Sequence, residues 1–207
     1  MSQSLFGRKS LLSGLFALSF LAACGTIEPP AVPPSDFSSY PSLAEDGYAT
    51  MTISRDFPME LTALRSFLDE DNRIVANFEP TESIAMPVDT VYFDGNWPEV
   101  GATRRVEQDD GHFVLERVLV SQPDRFEYQI WGFTGAVGNN VDHVHGVMEF
   151  IPVSDSETRM NWSYKVKPNA GWKRPLVQRF VDREIEPFLT GSIDKTVEQA
   201  EERVASQ

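Results

Sequence analysis

A succession of strand-length segments followed by one long amphipathic helix constrains the fold of this chain more than any other feature. Apolar and polar residues alternate from Val88 to Val166, in runs divided by short turn signals such as Asp109-Asp110-Gly111 and Gln122-Pro123-Asp124. Short turns join antiparallel neighbours, so the pattern predicts a meander of strands. The predicted strands cover residues 88–93, 101–107, 112–121, 125–133, 141–153 and 158–166.

One more strand and two short helices precede the meander. Residues 48–57 alternate between apolar and polar side chains, which predicts a first strand. From Pro58 the apolar residues recur on one helical face, as at Leu61 and Leu64, and a second short helix is predicted over 73–78.

The last segment, from Arg174 to Val204, is the longest predicted helix. Pro175 suits a first helical turn, whereas Pro187 lacks a backbone N–H and must kink or divide the helix. Apolar residues recur at steps of three and four, so one stripe faces a partner. The stripe consists of Leu176, Val177, Phe180, Val181, Ile185, Phe188, Leu189, Ile193 and Val197.

These elements together predict an α+β fold in which a curved, antiparallel, seven-stranded sheet wraps around the long C-terminal helix. One helix cannot fill the concave side of such a sheet, so we expect a cavity between them. The alternative is an interior filled by aromatic side chains, since the chain has 14 Phe, 4 Trp and 5 Tyr.

The amino-terminal segment resembles a bacterial lipoprotein signal. Arg8 and Lys9 precede an apolar run from Leu11 to Leu21, which is shorter than the roughly 20 residues that a membrane span requires. Leu21-Ala22-Ala23-Cys24 looks like a lipobox and ends in the only cysteine of the chain. The resemblance implies cleavage before Cys24 and lipid on that residue; the alternative is an ordinary secretory signal with a chance cysteine.

Three segments follow from this interpretation: a signal peptide at 1–23, a tether at 24–46 and a folded domain at 47–207. Proline and serine dominate the tether, which predicts an extended spacer able to hold the domain up to about 60 Å from a membrane. Gly25, with no aspartate after Cys24, resembles the signal for outer-membrane sorting. We therefore expect a lipid-anchored protein on the periplasmic side of a bacterial envelope.

Composition limits the partners of the domain. The formal net charge is −13, and a strongly acidic chain repels phosphate backbones, so nucleic acid is not expected as a partner. No disulfide or thiol nucleophile is available once Cys24 carries lipid. The sequence gives no indication of the oligomeric state.

Five short motifs occur in order along the predicted strands: WPEVGATRRV at 97–106, Asp110-Gly111 with LERV at 115–118, PDRFEY at 123–128, FIPV at 150–153 and TRMNW at 158–162. On these motifs, the chain from about residue 48 to 202 resembles the START-like superfamily, which includes polyketide cyclases and dehydrases, lipid-transfer START domains and birch-pollen-allergen-like proteins. The resemblance implies a helix-grip fold with a hydrophobic pocket, and it leaves the activity open because members bind, carry or transform different ligands.

Strand alternation predicts which side chains line the pocket, because residues two apart share a face. Phe126, Val144, Met160 and Val166 are expected on the inward faces, as core or as ligand contacts. The predicted ligand-binding residues are Glu116, Tyr128, Ile130, Met148, Phe150, Trp162 and Tyr164.

The predicted strands carry two notable polar features, a single glutamate and a pair of histidines. Glu116 lies between Val114 and Val118 on one face, so it points inward if they do; in related receptors a matching glutamate contacts the ligand. The alternative is an outward Glu116 beside an arginine such as Arg104, Arg105 or Arg117. His143 and His145 share a face as a metal pair would, but with no third ligand visible we expect neither a metal nor a cofactor.

The leading hypothesis is a membrane-anchored protein that binds a hydrophobic small molecule or lipid in an internal cavity. Two alternatives remain: a cyclase-, dehydrase- or hydrolase-like enzyme on the same scaffold, and a ligand-free module that contacts an envelope partner. No catalytic residue is assigned, because no serine-elbow or paired-carboxylate motif is present, and the glycine-rich Gly135–Asn140 lacks the Lys-Ser or Lys-Thr of a phosphate loop. These glycines are expected to form a flexible rim over the pocket.

Overall fold

The computed structural model describes residues 27–81 and 83–206, except for the side chain of Asp71. The predicted signal peptide and Cys24 lie outside the described residues, so their assignment stays a prediction. No helix within the described part of the chain is long and apolar enough to cross a membrane.

Seven antiparallel strands form one sheet with the spatial order β1-β7-β6-β5-β4-β3-β2. This confirms the predicted seven-stranded sheet, and the predicted strand boundaries lie within two residues of the observed ones. The strands are β1 (Ala49–Phe57), β2 (Pro87–Asp94), β3 (Thr103–Gln108), β4 (Phe113–Gln122), β5 (Arg125–Trp131), β6 (Val141–Ser154) and β7 (Glu157–Pro168).

Two short helices follow β1, as predicted, but the first begins later than expected. Helix α1 spans Leu61–Asp69 and not a segment starting at Pro58. The reason is the Glu60 carboxylate, which accepts hydrogen bonds from the backbone N–H groups of Thr62 and Ala63 at 2.9 Å and 3.3 Å. A carboxylate at this position stabilises a helix start. A 3₁₀ turn then leads into helix α2 (Arg73–Ala76).

The C-terminal helix consists of α3 (Arg174–Phe180), a π-helical stretch over Val181–Ile185 and α4 (Glu186–Ala205). Pro187 lies shortly after the π-helical stretch, in the first turn of α4. The helix is therefore interrupted just before Pro187 by a change in its hydrogen bonding, which is a common response to a residue without a backbone N–H.

One stripe of the C-terminal helix packs on the sheet and includes the buried residues Val177, Val181, Leu189 and Ile193. Leu176 was predicted to belong to this stripe, but it is exposed. It lies next to Val177 near the start of α3, and neighbouring residues on a helix point about 100° apart.

Residues 27–46, which we call the N-terminal strap, cross the outer, convex face of the sheet. Arg105 on β3 donates to the Pro34 carbonyl at 3.1 Å, and Gln129 on β5 donates to the Pro41 carbonyl at 2.9 Å. Phe37 and Tyr40 each pack edge-on against Trp131, with ring centroids 6.1 Å and 6.2 Å away.

These contacts differ from the expectation of a free, extended spacer. The prolines keep the strap extended, but its aromatic side chains bury apolar area on the sheet and its carbonyls accept hydrogen bonds from strand side chains. The assignment of 24–46 as a tether from a lipidated cysteine is not tested by this structure and stays a prediction.

Candidate ligand-binding cavity

A cavity of about 380 Å³ lies between the concave face of the sheet and the C-terminal helix. Its wall is built mainly by β3 to β7 on one side and by the helix on the other. The aromatic side chains line this space and do not fill it. The sequence allowed either an open cavity or an interior filled by aromatic side chains, and the structure has the open cavity.

All seven residues predicted to bind ligand lie on the cavity wall. Each belongs to a strand whose alternate residues face the concave side, so period-2 alternation placed them correctly. Their role in ligand binding is not tested by the geometry alone. The seven are Glu116 on β4, Tyr128 and Ile130 on β5, Met148 and Phe150 on β6, and Trp162 and Tyr164 on β7.

The other residues expected on inward faces divide into wall and core. Phe126, Val144 and Val166 lie on the cavity wall. Met160 is fully buried in the hydrophobic core. The concave face therefore carries both core residues and cavity-wall residues.

Glu116 faces the cavity, and its partner is Arg104. The two residues are register partners on β3 and β4, and Nε of Arg104 donates to Oε2 of Glu116 at 2.6 Å. Their side chains are only 8% and 10% exposed. The alternative of an outward Glu116 is thus wrong. Arg104, one of the three arginines named in that alternative, is nevertheless the partner of Glu116.

Arg104 has further contacts that make it part of the site. Its guanidinium carbon lies 3.6 Å from the ring centroid of Trp97, which favours a cation–π interaction. Its Nη1 is buried and makes no hydrogen bond within the described residues. Neither Arg104 nor Trp97 was predicted to belong to the site. Strand alternation could have predicted the position of Arg104. It lies two residues before Val106 on β3, and both residues line the cavity.

Tyr128 and Trp162 form a hydrogen-bonded pair deep in the cavity. The Trp162 indole N–H donates to the Tyr128 hydroxyl at 3.2 Å. Burial raises the pKa of Tyr128 well above its ordinary value, and the charge of Glu116 adds to this rise. Burial, with a further contribution from Glu116, also raises the pKa of Tyr164. Both hydroxyls therefore stay protonated at neutral pH.

Gly146 makes room for Tyr128, its register partner on β6. A Cβ atom added to Gly146 would meet ring atoms of Tyr128 at 2.1 Å and 2.3 Å. Only glycine allows this close approach. This contact could not be predicted from the local pattern, because the two residues belong to different strands.

The helices contribute wall residues that were not predicted to belong to the site. Phe180, Ile185, Phe188 and Leu189 of the C-terminal helix line the cavity. They belong to the predicted apolar stripe of the helix, and this part of the stripe faces the cavity. Leu68 and Phe78, from α1 and the segment after α2, line it as well.

Exposed wall residues lie at two places, which marks where the cavity meets solvent. Ser83, Asp110 and Ala136 come from three loops at one end of the sheet. Asp69 and Asn72 lie beside the short helices. The glycine-rich stretch predicted as a rim contains a 3₁₀ turn over Ala136–Asn139, and Gly135, Ala136 and Val137 lie on the wall.

The histidines lie on the opposite, outer face of the sheet, as expected from the inward position of Val144 and Met148. Nδ1 of His143 bonds Asp142 at 2.8 Å and Nε2 bonds the Tyr48 hydroxyl at 2.9 Å. Nε2 of His145 bonds Glu127 at 2.7 Å. Within the described residues, no group of three or more His, Cys, Asp or Glu side chains is arranged to hold a metal ion.

Comparison with solved structures shows the same architecture elsewhere. The crystal structure of Ara h 8.0201 matches with a TM-score of 0.55 at 15% identity, over 73% of this chain and 99% of the other. The Zhui aromatase/cyclase from Streptomyces sp. R1128 matches with a TM-score of 0.56 at 13% identity, over 76% and 96%. The di-domain ARO/CYC StfQ from the steffimycin biosynthetic pathway matches with a TM-score of 0.56 at 11% identity, over 76% and 52%.

At these identities the likeness shows the fold alone, which is the START-like helix-grip fold predicted from the sequence. The chain spans about half of the di-domain StfQ protein. No protein-family model matches the sequence, and no curated protein matches it significantly.

Proposed function

We propose that this helix-grip domain binds an apolar small molecule or a lipid in its internal cavity. The observation that carries the proposal is the open space of about 380 Å³ between sheet and helix. Cavities that hold small-molecule ligands have volumes of about 300–1,000 Å³ and mostly apolar walls with a few polar groups. This wall is mostly apolar, and Arg104, Glu116 and the two tyrosines are among its polar members.

Affinity in such a cavity comes from removing apolar groups from water, at about 0.8 kcal/mol for each CH₂ buried. A lipid in a bilayer already has this gain. The cavity therefore needs only to match the bilayer for the lipid to exchange between them. The mechanism is passive and requires no chemical step.

The buried Arg104 guanidinium indicates a further property of the ligand. Its Nη1 has no hydrogen-bond partner within the described residues, and an unpaired buried donor is costly. A ligand with an acceptor oxygen at one end would satisfy this donor. We therefore propose an amphiphile whose polar end lies beside Arg104 and whose apolar part lies between Phe126 and Phe188.

The geometry gives less support to the two other hypotheses. An enzyme needs a group poised to move a proton, but the Glu116 carboxylate accepts from Arg104, and no hydrogen bond joins Glu116 to Tyr128 among the described residues. A ligand-free module would be favoured by an interior filled with aromatic rings, and the cavity is open.

Native mass spectrometry of protein purified without detergent tests ligand binding directly. We expect an added mass that organic extraction removes. Val144→Phe places a larger side chain in the cavity, and Ile151→Phe on the same strand is the matched control because Ile151 is exposed. The proposal fails if Val144→Phe folds and retains the same bound mass as Ile151→Phe.

A pair of probes of one shape tests the acceptor group. 2-Acetylnaphthalene carries a carbonyl, and 2-ethylnaphthalene does not. We expect the double variant Arg104→Met/Glu116→Leu to lower the affinity ratio of the two probes by about tenfold, the value of one hydrogen bond to a charged group. An unchanged ratio would show that Arg104 does not contact the polar end.

We also propose that lipid on Cys24 anchors the domain to the periplasmic side of a bacterial membrane, with the outer membrane as its destination. The signal-like segment before Cys24 and the small residues Ala22 and Ala23 support this proposal. Cys24→Ser should release the protein into the soluble envelope fraction. Retention of the variant in the membrane fraction, with the signal peptide removed, would disprove lipid anchoring through Cys24.

A further inference from the structure

Several loops meet at one end of the sheet, which we call the rim end. It contains the β3–β4 turn around Gly111, the loop between β5 and β6, and the segment that links β7 to α3. The backbone N–H of Asn169 bonds the Asn140 carbonyl at 3.0 Å, and Nζ of Lys173 bonds the Asn139 carbonyl at 2.6 Å. These bonds place the β7–α3 segment beside the glycine-rich turn that borders the cavity.

The N-terminal strap reaches the same end. The carbonyl of Ile27 accepts a hydrogen bond from His112 at 3.1 Å. His112 in turn lies against Gly135, where an added Cβ would be 3.3 Å from its ring. Ile27, the first described residue, therefore lies beside the cavity rim. Cys24 is three residues earlier, which is at most about 11 Å of extended chain.

The rim end also carries an unusual surface for this acidic protein. No Asp or Glu occurs from Ser163 to Val181, although the formal net charge of the chain is −13. In the middle of this stretch Trp172 is 78% exposed and Leu176 is 55% exposed. The basic residues of the stretch are Lys165, Lys167, Lys173, Arg174 and Arg179.

The positive charges beside Trp172 are not neutralised by carboxylates. Lys173 bonds the Asn139 carbonyl, and Nε of Arg174 bonds the Tyr48 carbonyl at 2.9 Å. None of the ion pairs found among residues 27–81 and 83–206 includes Lys173, Arg174 or Arg179. An exposed tryptophan beside basic side chains that form none of these ion pairs fits the boundary of an anionic bilayer, where indole rings and basic side chains are both favoured.

We propose that Trp172, Lys173, Arg174, Leu176 and Arg179 form a membrane-contact surface for an anionic lipid bilayer. This surface holds the rim end, and with it the opening beside Ser83, Asp110 and Ala136, against the membrane. The five residues carry three positive charges and no negative charge, so anionic head groups attract this part of the domain more strongly than its acidic parts. The inference goes beyond ligand binding, and its choice of the bilayer as the partner rests on the proposed lipid anchor at Cys24, which the fractionation of Cys24→Ser tests separately.

The position of the strap indicates that the bilayer carrying the anchor is the partner of this surface. A free spacer would let the domain diffuse about 60 Å from the membrane. The strap is instead bound to the sheet along its length, so an anchor before Ile27 brings the rim end into the head-group region. The bilayer that holds the anchor is therefore the nearest partner of the surface.

Quenching of tryptophan emission by brominated lipids tests the contact. The full chain is reconstituted into phosphatidylcholine vesicles with and without phosphatidylglycerol, each containing a brominated lipid. We expect quenching that requires phosphatidylglycerol and is lost in Trp172→Phe. Lys173→Gln/Arg174→Gln should reduce it several-fold, whereas the matched control Lys195→Gln/Arg203→Gln, farther along the same helix, should not.

The proposal is overturned if Trp172→Phe loses no quenching, or if both double variants behave alike. Absence of quenching on every vesicle would also overturn it and would favour an acidic protein as the partner of this surface. Failure of the ligand-binding proposal is recognised separately, because native mass spectrometry and probe binding are measured without vesicles.

Discussion

Arg104 and Glu116 face each other across β3 and β4, and their ion pair of 2.6 Å lies in the wall of the cavity. Both side chains are almost completely removed from water. Burial of each charge alone would be costly, and the pairing offsets this cost. The pair thus gives a mostly apolar wall a buried polar region whose two charges compensate each other.

Removing one member of the pair should be far more damaging than removing both. We expect Glu116→Leu to lower the free energy of unfolding by about 3–5 kcal/mol, because it leaves the Arg104 guanidinium buried and uncompensated. The double variant Arg104→Met/Glu116→Leu should recover most of this loss. Urea unfolding of both single variants and the double variant gives the coupling energy, and additive effects would contradict a coupled pair.

Substitution of Gly146 should affect both stability and the cavity. Gly146→Ala places a methyl group inside the Tyr128 ring, so the ring must move toward the cavity. We expect a loss of about 1–3 kcal/mol in the free energy of unfolding and weaker binding of apolar probes. Gly171→Ala is the control, because nothing lies within 4 Å of an added Cβ there. Equal behaviour of the two variants would show that Tyr128 does not depend on Gly146.

The stability of the domain should fall as the pH drops below the ordinary histidine range. Burial lowers the pKa of His145 from 6.5, and its hydrogen bond to Glu127 only partly opposes this change. The unfolded chain therefore binds the proton first, and folded stability decreases from about pH 6.5 downward. NMR titration should give His145 a pKa below its ordinary value; a higher value would contradict the prediction.

The variant His145→Gln isolates this contribution. Glutamine can still donate a hydrogen bond to Glu127, but it does not titrate. We expect the loss of stability between about pH 7 and pH 5 to be smaller in the variant than in the parent protein. At pH values above this range, the two proteins should differ little.

The aromatic residues of the strap should hold it on the sheet. Phe37→Ser/Tyr40→Ser removes both rings that pack against Trp131, a residue that is only 4% exposed. We expect faster proteolysis within residues 27–46 and stronger quenching of tryptophan emission by acrylamide. Val32→Ser is the control, since Val32 is largely exposed. The same proteolysis rate for both variants would show that the strap is held by its backbone hydrogen bonds.

Much of the fold followed from local pattern. Alternation identified the seven strands and their inward faces, and Pro187 indicated where the C-terminal helix is interrupted. The start of α1 was missed because capping by Glu60 competes with the tolerance of Pro58 for a first turn. Leu176 was misplaced because the predicted stripe included both Leu176 and its neighbour Val177, which point about 100° apart, and only Val177 faces the sheet.

The strands, the long helix and the inward-facing side chains could be predicted from the amino-acid sequence, because they depend on periodicity within a single segment. The partners of those side chains became known from the packed fold: Arg104 pairs with Glu116, Gly146 accommodates Tyr128, the cavity stays open and the strap binds the sheet. Each of these depends on distances between residues far apart in the chain. The pattern within a segment fixes the direction of a side chain, and packing between segments fixes its partner.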